Sequence, residues 1–346
     1  RFRLPILSID CDAMPRQYVS QLVNGDSVDE LYLVSNKQVR ANRQGNLYLH
    51  LDLRDKSGVI GARLWNVTDS QTKGFEAGDY LQVRGKVQVF QGALQLILSH
   101  IQLARTAGVD PEEFWPSSPH SVTSLMSTLK SKLMGMSNPH LRALVECFLI
   151  DEEFLSKFTQ APAGVSHHHA YHAGLLEHVV ALLALASQVT DLYPELDRDL
   201  LLTGVFLHDI GKVGELSFDR TFAYTDEGQL VGHLVIGVEM LTAKAKQVNT
   251  LTGEPFPDEL LLRLKHMIIS HHGSHEFGSP KVPMTPEAIA LHLLDNLDSK
   301  IHTFTREIRD DPTPESRWTP FHQGLNRRLF KGQVPILPRG DLPYDD

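Results

Sequence analysis

Polar and apolar positions alternate strictly over residues 47–53, where Leu47, Leu49, Leu51 and Leu53 are separated by Tyr48, His50 and Asp52. A two-residue period lines one face of a strand, so this segment predicts a half-buried β-strand. Arg54-Asp55-Lys56-Ser57-Gly58 is a turn cluster, and Val59 to Trp65 resumes the extended pattern. Tyr80 to Val89 and Leu94 to Leu103 predict two further strands, joined at the hairpin signal Phe90-Gln91-Gly92-Ala93. Leu31 to Val39 precedes them as the first strand, and a short helix fits at Thr68 to Phe75. From Ser121 onward the period lengthens. Leu175, Leu176, Val179, Val180, Leu182, Leu183 and Ala186 recur at helical spacing. Further helices are predicted at Asp199 to Asp209, Leu234 to Gln247, Asp258 to Ser270 and Pro286 to Phe304, the last with Thr285 as N-cap.

Five strands with a helix between the third and fourth is the layout of an OB-fold barrel; an SH3-like barrel or a small sandwich is the alternative. The chain therefore divides into an N-terminal segment (1–27), an all-β OB-fold nucleic-acid-binding domain (28–104), a Pro-containing linker (105–120), an all-α helical domain (121–310) and a C-terminal segment with an extended tail (311–346). A length of 346 residues agrees with two cores, and 42% hydrophobic with 22% charged residues excludes disorder throughout. The longest strongly apolar stretch, Val179 to Ala186, falls short of the ~20 residues that cross a bilayer, so no membrane partner is expected. Arg1 to Leu7 is too short for a signal-peptide core. Cys11 and Cys147 cannot make a disulfide framework, which points to a reducing, cytoplasmic setting.

The net charge of −9 hides a split: residues 31–104 carry nine basic and five acidic side chains, a net of +4. Such asymmetry marks a module that faces nucleic acid. Histidine is equally uneven, with 13 of 18 between His167 and His302. In the helical zone His178, His208, Asp209, His233, His271, His272 and Asp295 fall in or at the ends of apolar helices. Any one of them alone is more often a hydrogen-bonded core residue. Seven together would leave many unpaired buried groups at about 1–3 kcal/mol each, and a shared metal removes that cost. Nitrogen and oxygen donors without thiolates suit manganese, iron, cobalt, nickel or zinc at an open site. Gly211 reads as the C-cap after the His208-Asp209 helix end. His168 and His169, in the loop before the first ligand helix, are candidate substrate contacts; His266 reads as a supporting or core residue.

The order His178, His208-Asp209, Asp295 resembles the HD superfamily of metal-dependent phosphohydrolases. The wording Gly174-Leu175-Leu176-Glu177-His178, His208-Asp209-Ile210-Gly211-Lys212, Ser270-His271-His272-Gly273 and Phe277-Gly278-Ser279-Pro280, behind a barrel, is similar to that of the YhaM-type 3′→5′ exoribonuclease family over about residues 15 to 332. The resemblance implies a multidomain protein, an all-β OB-fold barrel followed by an all-α HD-domain helical bundle. It implies that His178, His208, Asp209 and Asp295 hold one divalent ion, with Asp209 bridging, and that His233, His271 and His272 complete a second. Mn²⁺ is the leading choice of cofactor, with Co²⁺, Fe²⁺, Ni²⁺ or Zn²⁺ as others. His208 and Asp209 become catalytic, and Lys212 faces the phosphate as a cation; a lysine offsetting a helix dipole is the other reading of Lys212. The 3′→5′ polarity and the preference for RNA rest on the resemblance alone.

A metal-dependent exonuclease needs a hold on its polymer, and the barrel supplies candidates. Tyr48 faces out if Leu49 and Leu51 face the core, Arg63 shares a face with Trp65, and Lys37, Arg40, Arg84 and Lys86 are candidate phosphate contacts. Trp65 as core filler and the cations as solvated strand positions are the competing readings. The expected partner is single-stranded RNA or DNA. The segment Trp318 to Phe330 could dock on a neighbouring copy, giving a homo-oligomer. Two other functions stay open: a phosphohydrolase acting on a small nucleotide, and a non-catalytic single-strand-binding protein with a structural metal.

Overall fold

The structure is a computed structural model that describes residues 16–42, 45–90, 93–104, 109–110, 113–115, 120–164, 171–218, 223–309, 311 and 316–332. It forms two compact units, Arg1–Pro116 and Ser117–Asp346.

The first unit is a closed barrel of β1 (Ser27–Ala41), β2 (Leu47–Asp55), β3 (Gly58–Trp65), β4 (Tyr80–Phe90) and β5 (Ala93–Leu103), ordered β1-β2-β3-β5-β4, with α1 (Asp69–Lys73) between β3 and β4. This is the OB-fold arrangement anticipated from the alternation. β2 shows why it forms: Leu49, Leu51 and Leu53 are fully buried, while Tyr48, His50 and Asp52 between them are only partly covered. Ile60, Ala62 and Leu64 of β3, Leu81, Val83 and Val87 of β4, and Leu96 and Leu98 of β5 complete the interior. β1 runs 15 residues because it pairs with both β2 and β4, bending at a register shift between Val34 and Asn36. The parallel β3–β5 pairing closes the barrel.

Two segments read as separate from the barrel belong to it. Glu113 to Trp115, within the predicted linker, packs on the barrel: Phe114 and Trp115 are buried, with Phe114 edge-on to Tyr80 at 4.8 Å and Trp115 under the Arg54 guanidinium at 4.2 Å. Proline content suggested a linker. Two aromatic rings and a Glu113–Lys56 ion pair at 2.6 Å outweigh it. Near the other end Leu22 is buried and the Val19 amide donates to Asp55 at 2.7 Å.

The second unit is helical: α2 (Val122–Met134), α3 (Pro139–Leu149), α4 (Glu152–Phe158), α5 (Gly174–Leu192), α6 (Arg198–Leu207), α7 (Lys212–Glu215), α8 (Asp226–Leu230), α9 (His233–Thr252), α10 (Asp258–Ser270) and α11 (Pro286–Arg309). Short polar caps start several of them. Asn138, Asp151 and Asp197 accept the first free amides of α3, α4 and α6, and Thr285 accepts the Ala288 amide at 3.2 Å. α5 is long and apolar enough by composition to cross a membrane, unlike the shorter run read from the sequence. It is instead the central core helix, buried on every side from Gly174 to Leu183. α6 is equally enclosed from Leu200 to Leu207. Enclosure on all faces explains why neither helix shows a polar stripe.

Candidate metal centre and nucleic-acid face

His178 lies on α5, His208 and Asp209 follow the last turn of α6, His233 opens α9, His271 and His272 follow α10, and Asp295 and Asp298 lie one turn apart on α11. All of them converge. Three overlapping groups have ligand atoms within 4.8 Å of one another: His178, His208 and Asp209; His208, His271 and Asp295; and His233, His271 and His272.

The hydrogen bonds fix how each ring points. His178 Nδ1 meets Asp298 Oδ2 at 2.9 Å, His208 Nδ1 the Val205 carbonyl at 2.7 Å and His233 Nδ1 the Glu215 carboxylate at 2.9 Å. His271 and His272 turn Nδ1 to the carbonyls of Ile268 (2.8 Å) and Phe277 (3.0 Å). Each partner only accepts, so each Nδ1 carries the proton and each Nε2 turns inward. His178 Nε2 and His208 Nε2 stand 3.4 Å apart, and His233 Nε2 and His272 Nε2 3.3 Å apart. Facing lone pairs at that distance need a cation or a proton between them.

Asp209 occupies the middle. Its Oδ2 accepts from the Lys212 ammonium at 2.6 Å, while Oδ1 is buried with no hydrogen-bond partner, 3.5 Å from His233 Nε2 and 3.6 Å from His271 Nε2. A buried carboxylate oxygen with only imidazole nitrogens around it is a costly group that a divalent ion would satisfy. The donor set therefore fits the hard or borderline divalent metals expected from the residue types.

Charge follows the same layout. Burial pushes the Asp209 carboxyl up, but the Lys212 ammonium and His208 more than offset it and hold it well below the usual carboxylate range. Burial likewise opposes charge on His178, yet Asp295 and Asp298 drive it up to about 9, so Nε2 takes a second proton when no metal occupies it. Burial drives His271 well below the ordinary imidazole range, leaving it neutral and ready to donate a lone pair. His178, His208, Asp209 and His271 are buried, whereas His233, His272 and Asp295 are partly exposed and form the open edge.

Gly211 is not the left-handed cap that the sequence suggested. Its φ is −62°, and a Cβ there would lie 2.0 Å from the His233 carbonyl oxygen. Glycine is required because the start of α9 presses against this backbone, which carries His233 toward Asp209. Gly273 does need positive φ (+83°), and a side chain there would collide with the His292 ring. His292 itself braces the site from behind, its Nδ1 donating to the His271 carbonyl at 2.7 Å. Lys212 also departs from expectation. It lies at the start of α7, buried, with its ammonium on Asp209 and on the Ala163 carbonyl (2.6 Å). Asp298 and Glu215 were not singled out from the sequence; the only signal was their i+3 spacing from Asp295 and Lys212. His266 accepts the Met284 amide at 2.9 Å, a structural role. His168 and His169 lie outside the described residues.

The barrel presents a basic and aromatic outer face. One rung crosses all five strands, pairing Gln38 with His50, His50 with Arg63, Arg63 with Ile97 and Ile97 with Lys86; the neighbouring rung pairs Arg40, Tyr48 and Trp65. Tyr48 and Trp65 stack at 4.7 Å, and the Arg63 guanidinium lies 6.0 Å from the Trp65 ring and 5.0 Å from Phe90. Trp65 and Phe90 are 41% and 43% exposed, which rules out the core-filler reading of Trp65. Phe90 had been read only as part of a turn. Lys37 and Arg84 do not join this face as unmatched cations: Lys37 is buried against the Phe75 carbonyl and Glu76 (3.0 Å), and Arg84 pairs with Asp29 at 2.8 Å.

Comparison with known proteins adds two matched families: an HD domain over residues 175–300 and an OB-fold nucleic acid binding domain over residues 33–104. Among curated proteins, a relative from Bacillus velezensis named 3′-5′ exoribonuclease YhaM is 37% identical over 285 residues, 82% of this chain and 88% of its own. The protein of that name from Bacillus subtilis is 36% identical over the same coverage. One from Listeria monocytogenes is 34% identical over 311 residues, 90% of this chain and 96% of its own.

Proposed function

The chain belongs to the family of the 3′-5′ exoribonuclease YhaM, and from that membership we propose that it is a metal-dependent 3′→5′ exonuclease that hydrolyses single-stranded RNA. The observation that carries the metal dependence is the convergence of five inward Nε2 atoms on the Asp209 and Asp295 carboxylates, with Asp209 Oδ1 buried and unpartnered among them. In this reading His178, His208, Asp209 and Asp295 hold one divalent ion, and His233, His271 and His272 complete a second. Mn²⁺ is the proposed metal.

When bound, such ions activate water near neutral pH and offset charge developing on the phosphoryl oxygens. The chain's own residues make that possible. Asp298 and Glu215 hold His178 and His233 in one tautomer and orientation. Lys212 neutralises Asp209 and fixes its Oδ2, so Oδ1 points into the cluster. This assigns Lys212 a positioning role in place of the phosphate contact read from the sequence. The buried side of the cluster excludes solvent, and the edge at His233, His272 and Asp295 admits the strand terminus. No Ser or Cys nucleophile is needed.

The outer barrel face supports the hold on the strand. Tyr48, Trp65 and Phe90 offer rings for base stacking at about 1–3 kcal/mol per base, with Arg40, His50, Arg63 and Lys86 beside them for phosphates. Incubating a 5′-labelled oligoribonucleotide with the protein and Mn²⁺ tests the proposal. Stepwise shortening that chelator stops is expected, and Asp209→Asn should abolish it while leaving strand binding nearly intact. An oligonucleotide that stays whole while a mononucleotide is hydrolysed would assign the site to small nucleotides instead.

A further inference from the structure

Residues 316–332 follow α11 and fold back on themselves. Bridges pair Trp318 with Phe330 and His322 with Arg327, and the Thr319 amide donates to the Leu329 carbonyl at 2.9 Å. Leu329 and Thr319 are buried beneath, so the loop is anchored. Its outer side is unusual. Trp318, Phe321 and Phe330 are 50%, 54% and 48% exposed; the Trp318 and Phe330 rings lie 4.9 Å apart, with the Arg317 guanidinium 5.0 Å from Phe330. The segment holds Arg317, Arg327, Arg328 and Lys331 and no Asp or Glu, in a chain whose net charge is −9. Lys331 pairs with Asp311; Arg317, Arg327 and Arg328 form no ion pair among the described residues.

We propose that this segment is a second single-strand-binding surface, built into the catalytic unit and separate from the barrel. Exposed rings interleaved with cations are the chemistry that takes up bases and phosphates without sequence preference. An apolar protein partner would leave the arginines unmatched. A symmetric contact with a second copy would bring two sets of these arginines into one interface with no acidic residue of the segment to match them, at a cost. The anchoring also gives the surface a place relative to the metal cluster. His322 Nε2 lies 3.5 Å from Glu307 of α11, 12 residues beyond Asp295, which is about 18 Å along the helix. A strand with its 3′ end at the cluster and a few nucleotides upstream would reach this surface. The proposal rests on the nuclease reading for its choice of RNA.

Binding of a hydrolysis-resistant phosphorothioate oligouridylate tests it, so that binding is read on the metal-loaded protein without turnover. For a strand of about 20 nucleotides, replacing Arg317, Arg327 and Arg328 together by Glu should weaken binding about tenfold. It should also make the salt dependence shallower by about 2, three phosphates at about 0.7 each. Phe321→Ser, at a position more than half exposed, should weaken the same strand about fivefold through lost stacking. Melting temperatures should match the parent protein. Unchanged affinity and salt slope in both variants would overturn the proposal, and so would altered sedimentation with strand affinity per chain preserved, which would make this a contact between copies. A parent protein that binds the resistant strand but never shortens the ordinary one would refute the nuclease reading, while the comparison of variants still decides this surface.

Discussion

Replacing Lys212 by Met separates the two roles considered for this side chain. The ammonium is buried, 2.6 Å from Asp209 Oδ2 and 2.6 Å from the Ala163 carbonyl. Methionine has nearly the same length but no charge. Removing one partner of a buried ion pair costs about 3–5 kcal/mol, because Asp209 keeps its desolvation penalty without its counter-charge. Loss of the bond to Ala163 adds about 1 kcal/mol. In a helical unit of this size each kcal/mol shifts the melting temperature by about 2–4 °C, so the metal-free variant should melt about 15 °C below the parent. Bound Mn²⁺ supplies positive charge at the same carboxylate, so it should recover most of that deficit and stabilise the variant more than the parent. Calorimetry on chelated protein, then with Mn²⁺ restored, reads both effects. Turnover in the metal-loaded variant should fall by less than tenfold if Lys212 only positions Asp209. Equal melting of variant and parent without metal would refute the ion-pair argument, and a metal-loaded loss of a hundredfold or more would return Lys212 to the phosphate.

Asp298→Asn should lower metal affinity about 10- to 100-fold by loosening His178, measured by titration calorimetry with Mn²⁺, since carboxylates behind ligand histidines have effects of that size. Trp65→Ala should weaken single-strand binding about tenfold in fluorescence anisotropy while leaving melting unchanged, because the ring is exposed. Asp151 caps α4 and pairs with Lys244 at 2.7 Å, and that contact holds its carboxyl below the ordinary value. A depressed carboxylate contributes stability above its unfolded pKa, about 4, and loses it as pH falls through the lower folded value. Asp151→Ala should therefore cost about 1 kcal/mol at pH 7, and the difference from the parent should shrink in acid melts below about pH 4.

Much of the architecture was legible in the chain because it depends on local periods. Leu49, Leu51 and Leu53 can share a face only if the backbone is extended, and α10 begins and ends at Asp258 and Ser270 as its spacing predicts. The residues of the candidate metal centre were legible for a related reason. Imidazoles and carboxylates set among leucines carry a desolvation cost that marks them wherever they fold. Residue type and spacing could say no more than which side chains needed partners.

Which partners they found was decided in three dimensions. Asp298 reaches His178 across 120 residues and Glu215 reaches His233 across 18, through helix packing that no local pattern encodes. Lys212 looked like a cation available to substrate, but the approach of the Ala163 carbonyl and Asp209 claims its charge. Gly211 looked like a helix cap, and only the crossing of α9 shows that its missing Cβ is what matters. Glu113 to Trp115 reads as linker until the barrel offers Arg54, Lys56 and Tyr80 to its side chains. A chain specifies its periods and its unmet chemical needs residue by residue; pairings between distant residues exist only once the cores have packed.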